Sequence, residues 1–171
     1  MSLEDTLSGW TGPSSATEEE QQERTERMVR QAIDEHSPLT HCSLRVYAKG
    51  SYANNTNVRA DSDVDIAVEC TEVKYWEEAE PGAGKPGSPY SGVCTPTKLR
   101  TELVAALRAK FPGQADTSGT IAIQVSSSSA RVDADVVPCF SYRYYLSSSS
   151  SREGTKIFKT SGGSIVNYPA Q

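Results

Sequence analysis

Two short stretches of this chain alternate aspartate with aliphatic residues, and this restricts the fold more than any other feature. Residues 63–69 read Asp-Val-Asp-Ile-Ala-Val-Glu, and residues 131–138 read Arg-Val-Asp-Ala-Asp-Val-Val-Pro. A β-strand sends successive side chains to opposite faces, so each stretch sets its aspartates on one face and its aliphatics on the other. Asp63 and Asp65 then stand roughly 7 Å apart on one face, as do Asp133 and Asp135. An isolated pair of this kind reads as a solvated strand face. Two such strands, both among the most apolar segments of the chain, are expected at the centre of a sheet. Side by side they bring three carboxylates together where two divalent cations can bridge them, the arrangement of in-line phosphoryl or nucleotidyl transfer.

The rest of the chain arranges itself around these strands. Residues 1–16 read as a flexible tail, and Thr17-Glu18-Glu19-Glu20 fits a capping box that starts a helix running to His36. Its apolar stripe is Met28, Val29, Ala32 and Ile33, with charges elsewhere. Residues 43–49 alternate as a half-buried strand. Glu80 to Thr97 holds four prolines and four glycines and reads as a loop. Thr95 or Thr97 then caps a helix to Phe111, stopped by Pro112-Gly113. Residues 119–126 and 130–137 form a hairpin around Ser127-Ser128-Ser129, and 140–146 and 155–160 form two further strands around Ser147–Ser151. Helix, two strands, helix and four strands make an α+β fold, with a mixed sheet and its helices packed on one face.

Composition narrows the function classes. The 171 residues allow one domain, taken as residues 17–171 after the tail. The net charge of −5 is concentrated in residues 1–36, with nine acids against three arginines, and the remainder is nearly neutral. A basic stripe is absent, so there is no strong nucleic-acid-binding signal. No run approaches 18 apolar residues and the N-terminus lacks a signal-peptide pattern, so no membrane partner is expected and a cytoplasmic location is. Cys42, Cys70, Cys94 and Cys139 contain no C-x-x-C pair, and His36 and His41 are the only histidines. The cysteines are therefore expected to be reduced, at least two of them in the core, and zinc or histidine-based chemistry has little to use.

Gly50-Ser51 directly follows the strand at 43–49 and precedes Asp63 by a dozen residues. A glycine at a strand end admits close approach of a phosphate, and free N–H groups at a helix start at Ser51 would favour an anion. Alone, Gly-Ser is a common turn. Beside the acidic strand it reads as a triphosphate clamp. Tyr142, Tyr144 and Tyr145 invite a base-stacking reading, but alternating aromatics on a strand read first as sheet packing.

Gly50-Ser51, Asp63-x-Asp65 and a later aspartate on its own strand resemble the DNA polymerase β-like nucleotidyltransferases. Gly-Ser-Tyr at 50–52, Ser-Asp-Val-Asp-Ile at 62–66, Asp-Val-Val-Pro at 135–138 and the stretch Gly162 to Pro169 resemble, more narrowly, the cGAS-like enzymes. That group includes the bacterial CD-NTases, cyclic GMP-AMP synthases and oligoadenylate synthetases. In this pattern the third acid precedes two aliphatics and a proline, which selects Asp135 over Asp133. The resemblance implies two Mg²⁺ (or Mn²⁺) ions held by Asp63, Asp65 and Asp135, with Gly50 and Ser51 holding the donor phosphates. It also implies nucleoside triphosphate substrates, and cyclic or linear oligonucleotide products that signal in antiphage defence. The resemblance also implies a helical C-terminal domain, which is expected to be absent from residues 17–171. The chain is therefore expected to be the catalytic part of a longer enzyme, with uncovered surface that favours self-association. The alternatives are a minimal nucleotidyltransferase that modifies a protein or small molecule, and a non-catalytic nucleotide-binding domain.

Overall fold

A computed structural model describes residues 16–49, 64–84, 92, 94–126 and 133–168, without the side chains of 16–18 and 49. Helix α1 spans Ala16–Asp34 and helix α2 spans Pro96–Lys110, with a 3-10 turn at Ser37–His41. The described residues form seven strands, in chain order β1 (Leu44–Lys49), β2 (Val64–Glu78), β3 (Ala115–Asp116), β4 (Ile123–Val125), β5 (Ala134–Ser147), β6 (Ser150–Phe158) and β7 (Ser164–Asn167). They form one mixed sheet in the order β1-β2-β5-β4-β3, with β6 on β5 and β7 on β6. The α+β expectation holds.

Both helices cover one face. Val29, Ala32 and Ile33 of α1 and Leu99, Leu103, Ala106 and Leu107 of α2 pack on Val64, Ile66, Val68, Ala134 and Val136. Every one of these side chains is buried. The helices are tied at their ends by His36 Nε2 to Glu102 Oε2 at 2.7 Å and Lys110 Nζ to Glu35 Oε1 at 3.2 Å. Thr95 is the N-cap of α2, its Oγ1 accepting the Lys98 N–H at 3.2 Å. The opposite face has a smaller apolar cluster of Ala67, Val137, Cys139 and Ile157.

Several boundaries differ from those expected. Helix α1 begins at Ala16, so Thr17 lies inside it and is not its cap. The strand expected at 63–69 continues to Glu78, and the segments at 130–137 and 140–146 are one strand through Pro138. The register explains how Pro138 is accommodated. Val136 pairs with Ile123 of β4 and Phe140 with Lys156 of β6, on the same edge of β5. Backbone groups alternate between edges, so the missing N–H of Pro138 falls in the gap between the two partners. The segment at 119–126 shortens to Ile123–Val125, and β3 and β7 are too short to show a period in sequence. All four cysteines are free thiols, and Cys70, Cys94 and Cys139 are buried.

Candidate active site

Strands β2 and β5 lie side by side and parallel, with Asp65 directly opposite Asp135. Side chains opposite one another in register share a face. The flanking residues Val64, Ile66, Ala134 and Val136 turn to the helices, so both carboxylates turn to the opposite face, helix-free among the described residues, where they are half-buried. The rung extends across five strands: Lys49 pairs with Asp65, Gln124 with Asp135, and Asp116 with Gln124. The ladder between them opens with Val64 N–H donating to the Asp133 carbonyl at 2.9 Å. Asp133 itself is exposed and precedes the strand. Asp63, Gly50 and Ser51 lie outside the described residues.

Two carboxylates on neighbouring strands, about 4.8 Å apart in the hydrogen-bonding direction, repel unless a cation or a shared proton offsets them. Their hard oxygen donors and partial exposure suit a divalent cation of the Mg²⁺ type. Among the described residues no group of three His, Cys, Asp or Glu could hold a metal ion, and the third carboxylate expected there, Asp63, is not among them.

Two rungs along, the same face carries a group that sequence reasoning passed over. Glu69 is only 5% exposed and accepts hydrogen bonds from Tyr47 Oη at 2.7 Å, Ser141 Oγ at 2.7 Å and Arg45 Nη2 at 3.2 Å. Burial and the bond to Glu69 push the Tyr47 phenol well above its ordinary range. The network locks β1, β2 and β5 together beyond the carboxylate rung, with Ala67 and Val137 between. Its sequence signal was an acid in the apolar run of β2, on the same alternation as Asp65. Tyr142, by contrast, is a packing residue. It is buried, donates to Glu77 Oε2 at 3.0 Å and lies edge-on to Tyr168 with ring centroids 6.1 Å apart.

No family model matches the chain. Individual relatives do. The cyclic dipyrimidine nucleotide synthase CdnE of Legionella pneumophila is 38% identical, over 98% of this chain and 58% of that protein. The synthase of the same name from Cecembia lonarensis is 36% identical, over 98% and 57%. In backbone, the chain matches Rhodothermus marinus CdnE c-UMP-AMP synthase, solved with Apcpp and Upnpp, at a TM-score of 0.73 and 26% identity, over 99% of this chain and 57% of that one. Elizabethkingia meningoseptica CdnE, solved with GTP and Apcpp, gives 0.68 and 26%, over 99% and 56%. The chain thus spans less than three fifths of the length of these relatives. With nearly all of its own length matched in sequence and in fold, the chain belongs to the CdnE-type CD-NTase family of nucleotidyltransferases.

Proposed function

We propose that residues 17–171 form the catalytic unit of a cyclic-oligonucleotide synthase that joins nucleotides from nucleoside triphosphates and releases pyrophosphate. The observation that carries this reading is the in-register placement of Asp65 and Asp135 on adjacent parallel strands of the helix-free face. The names of the relatives support the product class, ranging from cyclic dipyrimidine to cyclic GMP-AMP synthases. By resemblance, the product would be the signal of a bacterial antiphage system.

Asp65 and Asp135, with Asp63, would hold the divalent cations. Bound there, such ions supply Lewis acidity at the phosphate oxygens. The residues of the chain do the remaining work. Gly50 and Ser51 hold the donor triphosphate through backbone N–H groups and the Ser51 hydroxyl. The Asp135 carboxylate stands beside Asp65 to accept the proton of the attacking hydroxyl. The Glu69 network keeps β1, β2 and β5 in register, and so keeps the two carboxylates opposed.

The test is incubation with each labelled nucleoside triphosphate, singly and in pairs, with Mg²⁺ or Mn²⁺, followed by product analysis. It is run on this chain and on a version carrying the segment that follows it in its natural protein. Cyclic or linear oligonucleotides that disappear with Asp65→Asn support the reading. Transfer of a nucleotide to a protein or small molecule instead would replace it with the minimal-transferase alternative. Triphosphate binding without any transfer by either version would leave a non-catalytic binding domain.

A further inference from the structure

On the helix side of the sheet, away from the carboxylate rung, a cleft of about 290 Å³ opens between the first turns of α2 and the β5–β6 pair. Its floor is apolar, made by Pro138, Phe140 and Phe158, the two phenyl rings meeting edge to face at 5.7 Å. Its rim is cationic and includes Arg100 and Lys159, and no carboxylate lines it among the described residues.

Neither cation pairs with a carboxylate among the described residues. Arg100 donates only to neutral carbonyls, Nη1 to Ile121 at 2.9 Å and Nη2 to Gly119 at 3.1 Å, which fixes the guanidinium without cancelling its charge. Burial lowers its pKa, the mark of a charge partly removed from water without an acid beside it. Lys159 makes no ion pair or side-chain hydrogen bond among the described residues. Its backbone is held in place all the same, because its N–H donates to the Gly163 carbonyl at 3.1 Å and its carbonyl accepts from Gly162 N–H at 3.2 Å. Positive φ at Gly162 (103°) and Gly163 (80°) makes that tight turn possible. The neighbouring Thr160 is anchored by its N–H to the Thr120 carbonyl at 2.9 Å. Hydroxyls of Thr97, Thr101 and Thr160 add donors around the opening.

Two positive charges without an acidic partner among the described residues, and several hydroxyls, over a partly aromatic floor match a ligand with an anionic head and a flat ring. The volume sits at the low end for small-ligand clefts, which fits one nucleotide unit and not two. We propose that this cleft is a second nucleotide site, binding a nucleoside monophosphate unit with its phosphate between Arg100 and Lys159 and its base against the half-buried ring of Phe158. It lies on the opposite face from Asp65 and Asp135, and the proposal stands independently of the catalytic reading of those residues.

The experiment is an amide NMR titration of the chain carrying Asp65→Asn and Asp135→Asn, without divalent metal, using uridine and adenosine 5′-monophosphates, the free nucleosides and inorganic phosphate. Saturable shifts at Thr97, Thr101, Lys159 and Thr160 are expected with at least one monophosphate. Phosphate and the matching nucleoside should each bind about tenfold more weakly or worse. Lys159→Glu should weaken the monophosphate by about tenfold or more, and Thr101→Trp, at an exposed helix position, should fill the cleft and remove the shifts. Phosphate binding as tightly as the monophosphates would overturn the proposal, since the aromatic floor would then contribute nothing. Shifts confined to the N-terminal ends of β2 and β5, or indifference to both substitutions, would also overturn it.

Discussion

The two faces of the central sheet divide the work of the molecule. On the helix side, the alternate positions Val64, Ile66 and Val68 of β2 and Ala134 and Val136 of β5 are uniformly apolar and buried. On the other side the same two strands pass from Asp65 and Asp135, through Ala67 and Val137, to Glu69 and Cys139. One backbone register therefore serves stability on one face and places charge on the other. Two carboxylates set opposite one another cost free energy unless a cation, a donor or a proton offsets them, and the helix-side core holds the strands that carry them.

Loss of the carboxylates tests this division most severely. Asp63→Asn with Asp65→Asn should remove metal-dependent triphosphate binding and transfer altogether, while the urea midpoint stays level or rises as repulsion is relieved. Retained transfer would show that the helix-free face is not the reactive one. Asp133→Asn should be milder than Asp135→Asn, because only Asp135 stands opposite Asp65. The reverse order would reassign the third acid.

The converse change is Leu103→Ala on the packed side. It should cost about 2–5 kcal/mol of stability by opening a cavity, and a urea titration that moved little would mean the core is looser than its burial implies. Glu69→Gln should cost less, about 1–3 kcal/mol, because the amide keeps one acceptor oxygen but weakens the bonds from Tyr47 and Ser141. Calorimetry would show it.

Gln22 breaks the pattern of the packed side. Its amide is fully buried on α1, and among the described residues neither Oε1 nor Nε2 has a hydrogen-bond partner. Gln22→Leu should raise stability by about 1 kcal/mol, and a loss instead would reveal a partner for that amide in solution. The smallest effect is on the pH profile. Hydrogen bonds from His36 and Lys98 hold the Glu102 carboxyl below its ordinary value of 4.5. A depressed folded pKa contributes stability that is present above the unfolded pKa and lost as pH falls through the folded one. Stability should therefore drop below about pH 4.5, and Glu102→Gln should flatten that drop slightly.

How far each face could be read beforehand follows from the range of the forces that shape it. The stripe of α1, the cap and stop of α2, and the alternation of residues 63–69 are local patterns. They were legible because period and turn chemistry depend on residues a few positions apart. The single strand through Pro138 was not, because a proline is tolerated there only where β4 ends and β6 begins on the same edge. The hairpin register was hidden for the same reason. Its strands end at Val125 and Ala134, and this longer connection sets Gln124 opposite Asp135. Glu69 looked like an ordinary strand acid until Tyr47 and Ser141, 22 and 72 residues away, were placed against it.

Composition and alternation by themselves therefore determined that this chain would build an α+β sheet with aspartates segregated to one strand face, because side-chain direction in a strand is a property of the backbone alone. Only the tertiary structure decided that Asp65 would stand opposite Asp135, that Glu69 would be buried and that a cationic cleft would form behind the sheet. Strand pairing and register are settled by packing between segments far apart in the chain, and that free energy exists only when all of them are in place.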